Sequence, residues 1–319
     1  MLHLTSTEHR NENAFASRWR WNATVSIDWL DWGPWLIVGG LAIAAVLWTV
    51  YAGFAVLGIG RVAIGVVPLI AASIYFRREE RFLLCTTTLL QIVLFSSIFA
   101  LLSYLAVASA GPLVDDRLAD WDAALGFNLL HLLAWKGRHP IIGAILDNSY
   151  NTMLLQTAAV VAILGFANDR VRLKLFMLRM MLAGLVTLVF MVALPAEGTP
   201  NQYGLTPTPL QASYLEHLHA LRSGLLRQFD YARVEGLATF PSFHVIWAIL
   251  MVVACFHRPR ICPFLVIFNG VVILSTVTTG GHYLCDVWGG AVVAVAVCLA
   301  TPARKYQCMP PVQRPAGEH

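Results

Sequence analysis

Polar and apolar positions in this chain are segregated into long blocks. Eight mostly apolar runs cover approximately residues 35–54, 57–76, 82–108, 141–165, 174–195, 240–257, 261–279 and 283–301. Each approaches the roughly 20 residues that an α-helix needs to cross ~30 Å of hydrocarbon. The pattern predicts an all-α, polytopic membrane helix bundle of about eight transmembrane helices, with residues 1–34 and 302–319 as polar tails, the second of them mobile. The weakest break is Gly58, Gly60 and Arg61, set inside one long apolar stretch. Residues 35–76 read as one kinked helix would give seven spans and move the N-terminus to the opposite side.

Lys and Arg separate these readings, because short cytoplasmic loops are enriched in them. With eight spans, Arg10, Arg18 and Arg20, the Arg77 to Arg81 turn, Arg170, Arg172 and Lys174, the His257 to Arg260 turn, and Arg304 with Lys305 all fall on one side. That side is read as the cytoplasm, and both termini lie there. The extracytoplasmic face receives loops 109–140 and 196–239 and the turn at Gly280 and Gly281. In the first loop Asp115, Asp116, Asp120 and Asp122 interleave with Leu118, Trp121, Leu125, Leu129, Leu130 and Leu133, a spacing that predicts helices lying along the membrane surface. The second loop predicts a helix from about Gln211 to Arg227, ordered enough to act as a lid.

Composition narrows the partners. Hydrophobic residues make up 58% and charged residues 13% of 319, whereas a soluble domain carries about a quarter charged residues. The bilayer is thus the expected surroundings. The net charge of +4 comes from short clusters between apolar runs, which argues against nucleic acid. No CxxC pair occurs among the six cysteines, and Cys85, Cys255, Cys262, Cys285 and Cys298 lie in or beside apolar runs. They read as small packing residues. The first apolar run starts near Trp35, too late and too long for a cleaved signal peptide.

Two polar stretches carry the candidate chemistry: Thr239 to His244 and Gly280 to Asp286, each where an outer loop enters a helix. Ionisable groups at membrane depth are costly and persist mainly when paired or used. His282 and Asp286 stand four apart, on one helix face, so the carboxylate is expected to fix the imidazole tautomer and raise its basicity. An oriented imidazole is a competent nucleophile toward phosphorus, and His244 on another helix is placed to protonate the departing oxygen. Ser242 either caps its helix or donates to a phosphate oxygen, and Gly281 lets the backbone approach a bound oxyanion. Arg222, Arg227 and Arg233 of the outer loop are the candidate phosphate-binding cations. Tyr150, with Asn151 and Gln156, is polar within the fourth span and lines the pocket or bonds between helices. Arg179, near a cytoplasmic helix end, reads as a snorkelling side chain. Two His and one Asp also suit zinc, but the phosphoryl chemistry needs no metal and no further ligand is evident. Neither metal nor cofactor is expected.

In order and in position near the C-terminus, the two stretches resemble the second and third signature motifs of the type 2 phosphatidic acid phosphatase (PAP2) superfamily. The pattern PSxH matches Pro241, Ser242 and His244, and HxxxD matches His282 and Asp286. The resemblance covers approximately residues 82–301 and implies a six-helix catalytic core there, with residues 35–81 as two additional helices. It further implies His282 as the phosphohistidine-forming nucleophile, Asp286 as its partner and His244 as the acid for the leaving group, acting on a lipid phosphate or phospholipid. Two departures stand out. Ser275 and Thr276 occupy the place where the third motif usually begins Ser-Arg, and no Lys-x6-Arg-Pro stretch supplies the first motif. In this the chain is similar to the divergent branch that includes inositol phosphorylceramide synthases and sphingomyelin synthases, which transfer a phospho-headgroup between lipids; phosphatases with the same degeneration keep hydrolysis open. A membrane transporter using the His/Asp triad as a proton relay is the alternative from another class, and its relay residues would belong near mid-bilayer.

Overall fold

A computed structural model describes the backbone of residues 8–302 and the side chains from Trp29 to Pro302. The described chain is mostly helical, with thirteen helices and two short strands. Helix α1 (Glu8–Ala52) is a single helix of 45 residues with Pro34 inside it. Residues 8–34, read as a tail from their polarity, therefore continue the first membrane helix. Extending an existing helix costs far less than nucleating one, so polar residues suffice. The chain then turns through Gly53 and Gly58, at φ 64° and 70°, with strand β1 (Ala55–Leu57) between them, and returns as α2 (Ile59–Tyr75). Left-handed backbone favours glycine, and residues 35–76 form two helices.

α3 (Glu80–Ser109) leads into α4 (Asp115–Ala124) and α5 (Leu129–Arg138), which belong to the outer loop, and then into α6 (Pro140–Tyr150) and α7 (Met153–Phe166). The last two are bent by 60° at their junction, which corrects the continuous span predicted over 141–165. Side chains there turn back on their own backbone: Asn151 Nδ2 donates to Asp147 O at 3.2 Å and Thr152 Oγ1 to Ser149 O at 2.6 Å. Such bonds compete with helix continuation. Helix α8 (Arg170–Ala193) is followed by α9 (Thr199–Gln202), α10 (Pro209–Arg222) and strand β2 (Gln228–Asp230). A reciprocal Thr208–Gln211 capping box starts α10, and Gly224 at φ 75° follows its end, short of the predicted Arg227. Strands β1 and β2 pair in parallel, Ala55 opposite Gln228. Strands of three residues are too short for a period-two pattern to announce them.

Three closely packed helices complete the chain: α11 (Phe243–Cys255), α12 (Cys262–Thr278) and α13 (Leu284–Ala300). By length and composition α3, α8 and the Trp29–Ala52 part of α1 are able to cross a membrane, as is the bent α6–α7 pair taken together, whereas α2, α11, α12 and α13 are shorter apolar helices. The largest apolar cluster joins α3, α7, α8, α11, α12 and α13. α2 has no buried residue, as expected of a helix facing lipid. Arg179 does not snorkel: it is buried, and its guanidinium donates to Thr301 Oγ1 at 3.0 Å and Thr301 O at 2.6 Å at the end of α13. A cation suits the negative end of a helix.

The start of α11 meets α13 at two glycines. A Cβ at Gly290 would lie 2.7 Å from Ser242 O, and one at Gly289 would lie 3.0 Å from the Phe240 ring. Gly290→Val is expected to destabilise the detergent-solubilised protein by roughly 1–3 kcal/mol, the usual cost of overpacking. Gly270, with open space around it, is the control; melting curves of Gly290→Val and Gly270→Val check the difference.

Candidate active site

The loop between α12 and α13 is shaped before any chemistry enters. Thr279 and Gly280 both donate their N–H groups to Ser275 O, and His282 N–H reaches Thr276 O at 3.3 Å. Ser275 and Thr276, where the family motif would read Ser-Arg, are fully buried and return their hydroxyls to Val272 O and Ile273 O. Gly280 leaves no room for a side chain, since a Cβ would meet Thr276 O and the Tyr150 ring at 2.7 Å. Gly281 has φ 73° and accepts Thr199 N–H on its carbonyl at 2.9 Å. The chain is thereby aimed so that His282 points inward.

His282 is 3% exposed and Asp286 is fully buried. The imidazole Nδ1 lies 3.1 Å from Asp286 Oδ2, which also accepts Tyr283 N–H at 2.9 Å. With Nδ1 occupied by the carboxylate, Nε2 is the free edge of the ring. It faces Ser242 Oγ at 3.4 Å, and Ser242 N–H in turn donates to Asp286 O at 3.1 Å. His244 follows on the first turn of α11, half-buried, with its ring stacked on Tyr150 at 4.3 Å and 20°. Tyr150 ends α6, so the bend before α7 is what delivers this ring. The amides of Phe243, His244 and Val245 have no hydrogen-bond partner among the described residues, which leaves an anion-binding helix start beside His282 Nε2.

The three arginines lie elsewhere. Arg222 donates to Gly111 O at 2.9 Å and lines an apolar cavity with Thr239 and Phe240, while Arg227 and Arg233 are exposed in the 196–239 loop and make no side-chain hydrogen bond among the described residues. The cation that touches the His282 loop is Lys136 of α5, whose Nζ donates to Thr278 O and Thr279 Oγ1 at 3.2 Å and pairs with Asp147 at 2.5 Å. Nothing in the local sequence singles out this lysine, because its two partners in the His282 loop, at the end of α12, are more than 140 residues away.

Two aspartates read from the sequence as part of a surface helix also turn inward. Asp122 accepts Leu284 N–H at 2.7 Å and Cys285 N–H at 2.8 Å. Asp115 accepts Gly198 N–H at 2.9 Å and Tyr283 O–H at 3.0 Å. Burial pushes the Asp115 carboxyl above the usual carboxylate range, against the pull of these bonds. Asp116 and Asp120 face outward as expected. Among the described residues, no group of three His, Cys, Asp or Glu is arranged to hold a metal ion.

A helical membrane protein with a buried His–Asp pair and a second histidine at neighbouring helix starts is the class these features define. The family model described as the PAP2 superfamily matches residues 116–300, more than half of the chain, and the protein belongs to that superfamily. The match begins within α4 and leaves out α3, so it is shorter at the N-terminal side than the 82–301 resemblance. Comparison with curated proteins and with solved structures gives no match. Membership supports an enzyme of the phosphatase or phosphotransferase kind acting on lipid phosphate esters.

The stacked ring gives a test. Removing it in Tyr150→Ala forfeits about 0.5–1.5 kcal/mol of ring pairing and is expected to lower turnover roughly two- to tenfold, whereas Tyr150→Phe keeps the ring and stays near wild type. Initial rates on a lipid phosphate ester, for both variants, check this.

Proposed function

We propose that the protein is a metal-independent lipid phosphatase or phosphotransferase that works through an adduct on His282. The observation that carries the reading is the His282 ring held by Asp286 at Nδ1, with Nε2 open toward the unpaired amides at the start of α11. In the first step Nε2 attacks phosphorus, a P–N bond forms, the P–O bond to the leaving group breaks, and His244 gives its proton to the departing oxygen. In the second, His244 takes a proton from water or a lipid hydroxyl, whose oxygen attacks phosphorus as the P–N bond breaks. Asp286 holds the imidazole through both steps and offsets the positive charge on the adduct. The Ser242 hydroxyl and the α11 amides are the donors for the phosphate oxygens, while Lys136, shared among Asp147, Thr278 O and Thr279 Oγ1, holds the His282 loop beside them.

Helix length supports a recessed site open to lipid. The 13 residues of α11 rise about 20 Å, less than the ~30 Å of hydrocarbon. With Arg258 and Arg260 at the headgroups of one face, His244 at the other end lies below the opposite surface, where a lipid phosphate enters sideways. The Lys and Arg distribution assigns that opposite face as extracytoplasmic, with residues 82–301 as the catalytic core. A lipid acceptor, as in inositol phosphorylceramide synthase-like headgroup transfer, suits such a site as well as water does.

The test is phosphate release and headgroup exchange from lipid phosphates and phosphosphingolipids by purified protein in EDTA. Release is expected for a phosphatase and exchange without release for a transferase, each reduced at least a thousandfold in His282→Ala, on the scale of removing a nucleophile. Full activity in that variant, or none in wild type, overturns the reading and favours a proton-relay transporter.

A further inference from the structure

We infer that α4 is a positioning element for the reaction at His282 and that it acts through Asp122. The functional meaning rests on the role proposed for His282. The geometry stands apart from it.

The first amides of a helix lack partners within the helix. In α13 three of them are taken by two carboxylates, Tyr283 N–H by Asp286 and Leu284 and Cys285 N–H by the two oxygens of Asp122, and the fourth, Asp286 N–H, turns to Tyr283 O. A capping side chain ordinarily comes from the residue just before the helix. Here it comes from more than 160 residues earlier in the chain, and Asp122 is 1% exposed. Desolvating a carboxylate for this purpose is expensive, while a Ser or Asn at position 283 would cap the helix at far lower cost. What the distant carboxylate adds is a fixed relation between α4 and the exact turn that holds His282 and Asp286.

Asp115 and Leu118 extend the same face of α4. Asp115 holds the Tyr283 hydroxyl and the Gly198 amide, and Thr199, next in the chain, donates to Gly281 O. Leu118 is buried with Tyr283 and Cys285 in a small apolar cluster, and its carbonyl accepts Cys285 Sγ–H at 3.5 Å. The helix thus grips the loop on both sides of His282, upstream at Gly281 and downstream at Leu284 and Cys285. Two consequences follow. The start of α13 is closed to phosphate, which leaves the start of α11 for that purpose. The direction of Nε2 is set by α4, and displacements of about 1 Å in such groups cost roughly a hundredfold in rate.

Asp122→Asn tests this, because it keeps the shape but turns an NH2 group toward an amide N–H. Turnover is expected to fall about ten- to hundredfold, the scale for residues that orient a reacting group, with KM changed less than about twofold and the melting temperature in detergent unchanged. Asp122→Glu is expected to recover part of the loss, and Asp120→Asn, on the exposed face, to lose nothing. A second readout needs no activity: diethylpyrocarbonate labelling of His282, followed by mass spectrometry, is expected to speed up severalfold in Asp122→Asn while exposed His131 is labelled as before. Wild-type turnover with wild-type labelling in Asp122→Asn overturns the inference. So does a fall in melting temperature that tracks the activity loss in Asp122→Asn and Asp122→Glu alike, since that is the mark of a merely structural cap. If the wild-type protein turns over no phosphate ester, the proposed function fails, and the labelling rates still decide whether Asp122 positions His282.

Discussion

Pairing the fully buried Asp286 carboxyl is the constraint on which the rest of the site depends. Its carboxyl is fully buried, with His282 Nδ1 and Tyr283 N–H on one oxygen and no partner among the described residues on the other. A buried carboxylate tolerates this only if its donors are held rigidly. The surrounding structure supplies that rigidity from several directions: Gly280 and Gly281 let the loop pass close under Tyr150 and Tyr214, Gly290 brings α11 against α13, and α4 closes the helix start from outside. The His282–Asp286 pair is therefore a product of packing among distant segments, even though its two members are four residues apart.

Short helices and an outer layer solve a second problem together. The helices α11, α12 and α13 are 13 to 17 residues long, much shorter than α3 and α8 at 30 and 24 residues. Against them pack α4, on α13, and α5, on α12, with α9 resting on α4, while α10 packs on α3 and the β1–β2 pair joins the turn after α1 to the segment after α10. Water is displaced from His282 by the protein packed around it. Polar chemistry is strengthened in such surroundings because competing solvent is removed.

Local spacing explains what could be read from the sequence. The apolar runs, PSxH and HxxxD are contiguous patterns, so the membrane character and the His244, His282 and Asp286 trio were legible without coordinates. The break within α6–α7 was not, since hydropathy averages over Asn151 and Thr152 and does not register side chains that bond their own backbone. Asp115 and Asp122 looked like the solvated side of a surface helix, because the face that a helix turns inward depends on what covers it. Lys136 was one cation among many. Arg179 reversed for the same reason: its place near the helix end suggested snorkelling, and only the end of α13 packed beside it gives the guanidinium an internal acceptor.

The two helix starts at the site have opposite electrostatic states, and that asymmetry gives the site a direction. The positive end of α13 is capped by Asp122 and Asp286, whereas at the positive end of α11 the amides of Phe243, His244 and Val245 have no partner among the described residues. An anion entering the space between them is repelled on one side and drawn to the other. His282 Nε2 lies on that path, 3.4 Å from Ser242 Oγ. A phosphate drawn onto the α11 amides would meet the imidazole lone pair without any cation at position 276. Loss of the arginine from the third motif is thus compatible with catalysis when the dipole of one helix is left open and that of its neighbour is closed.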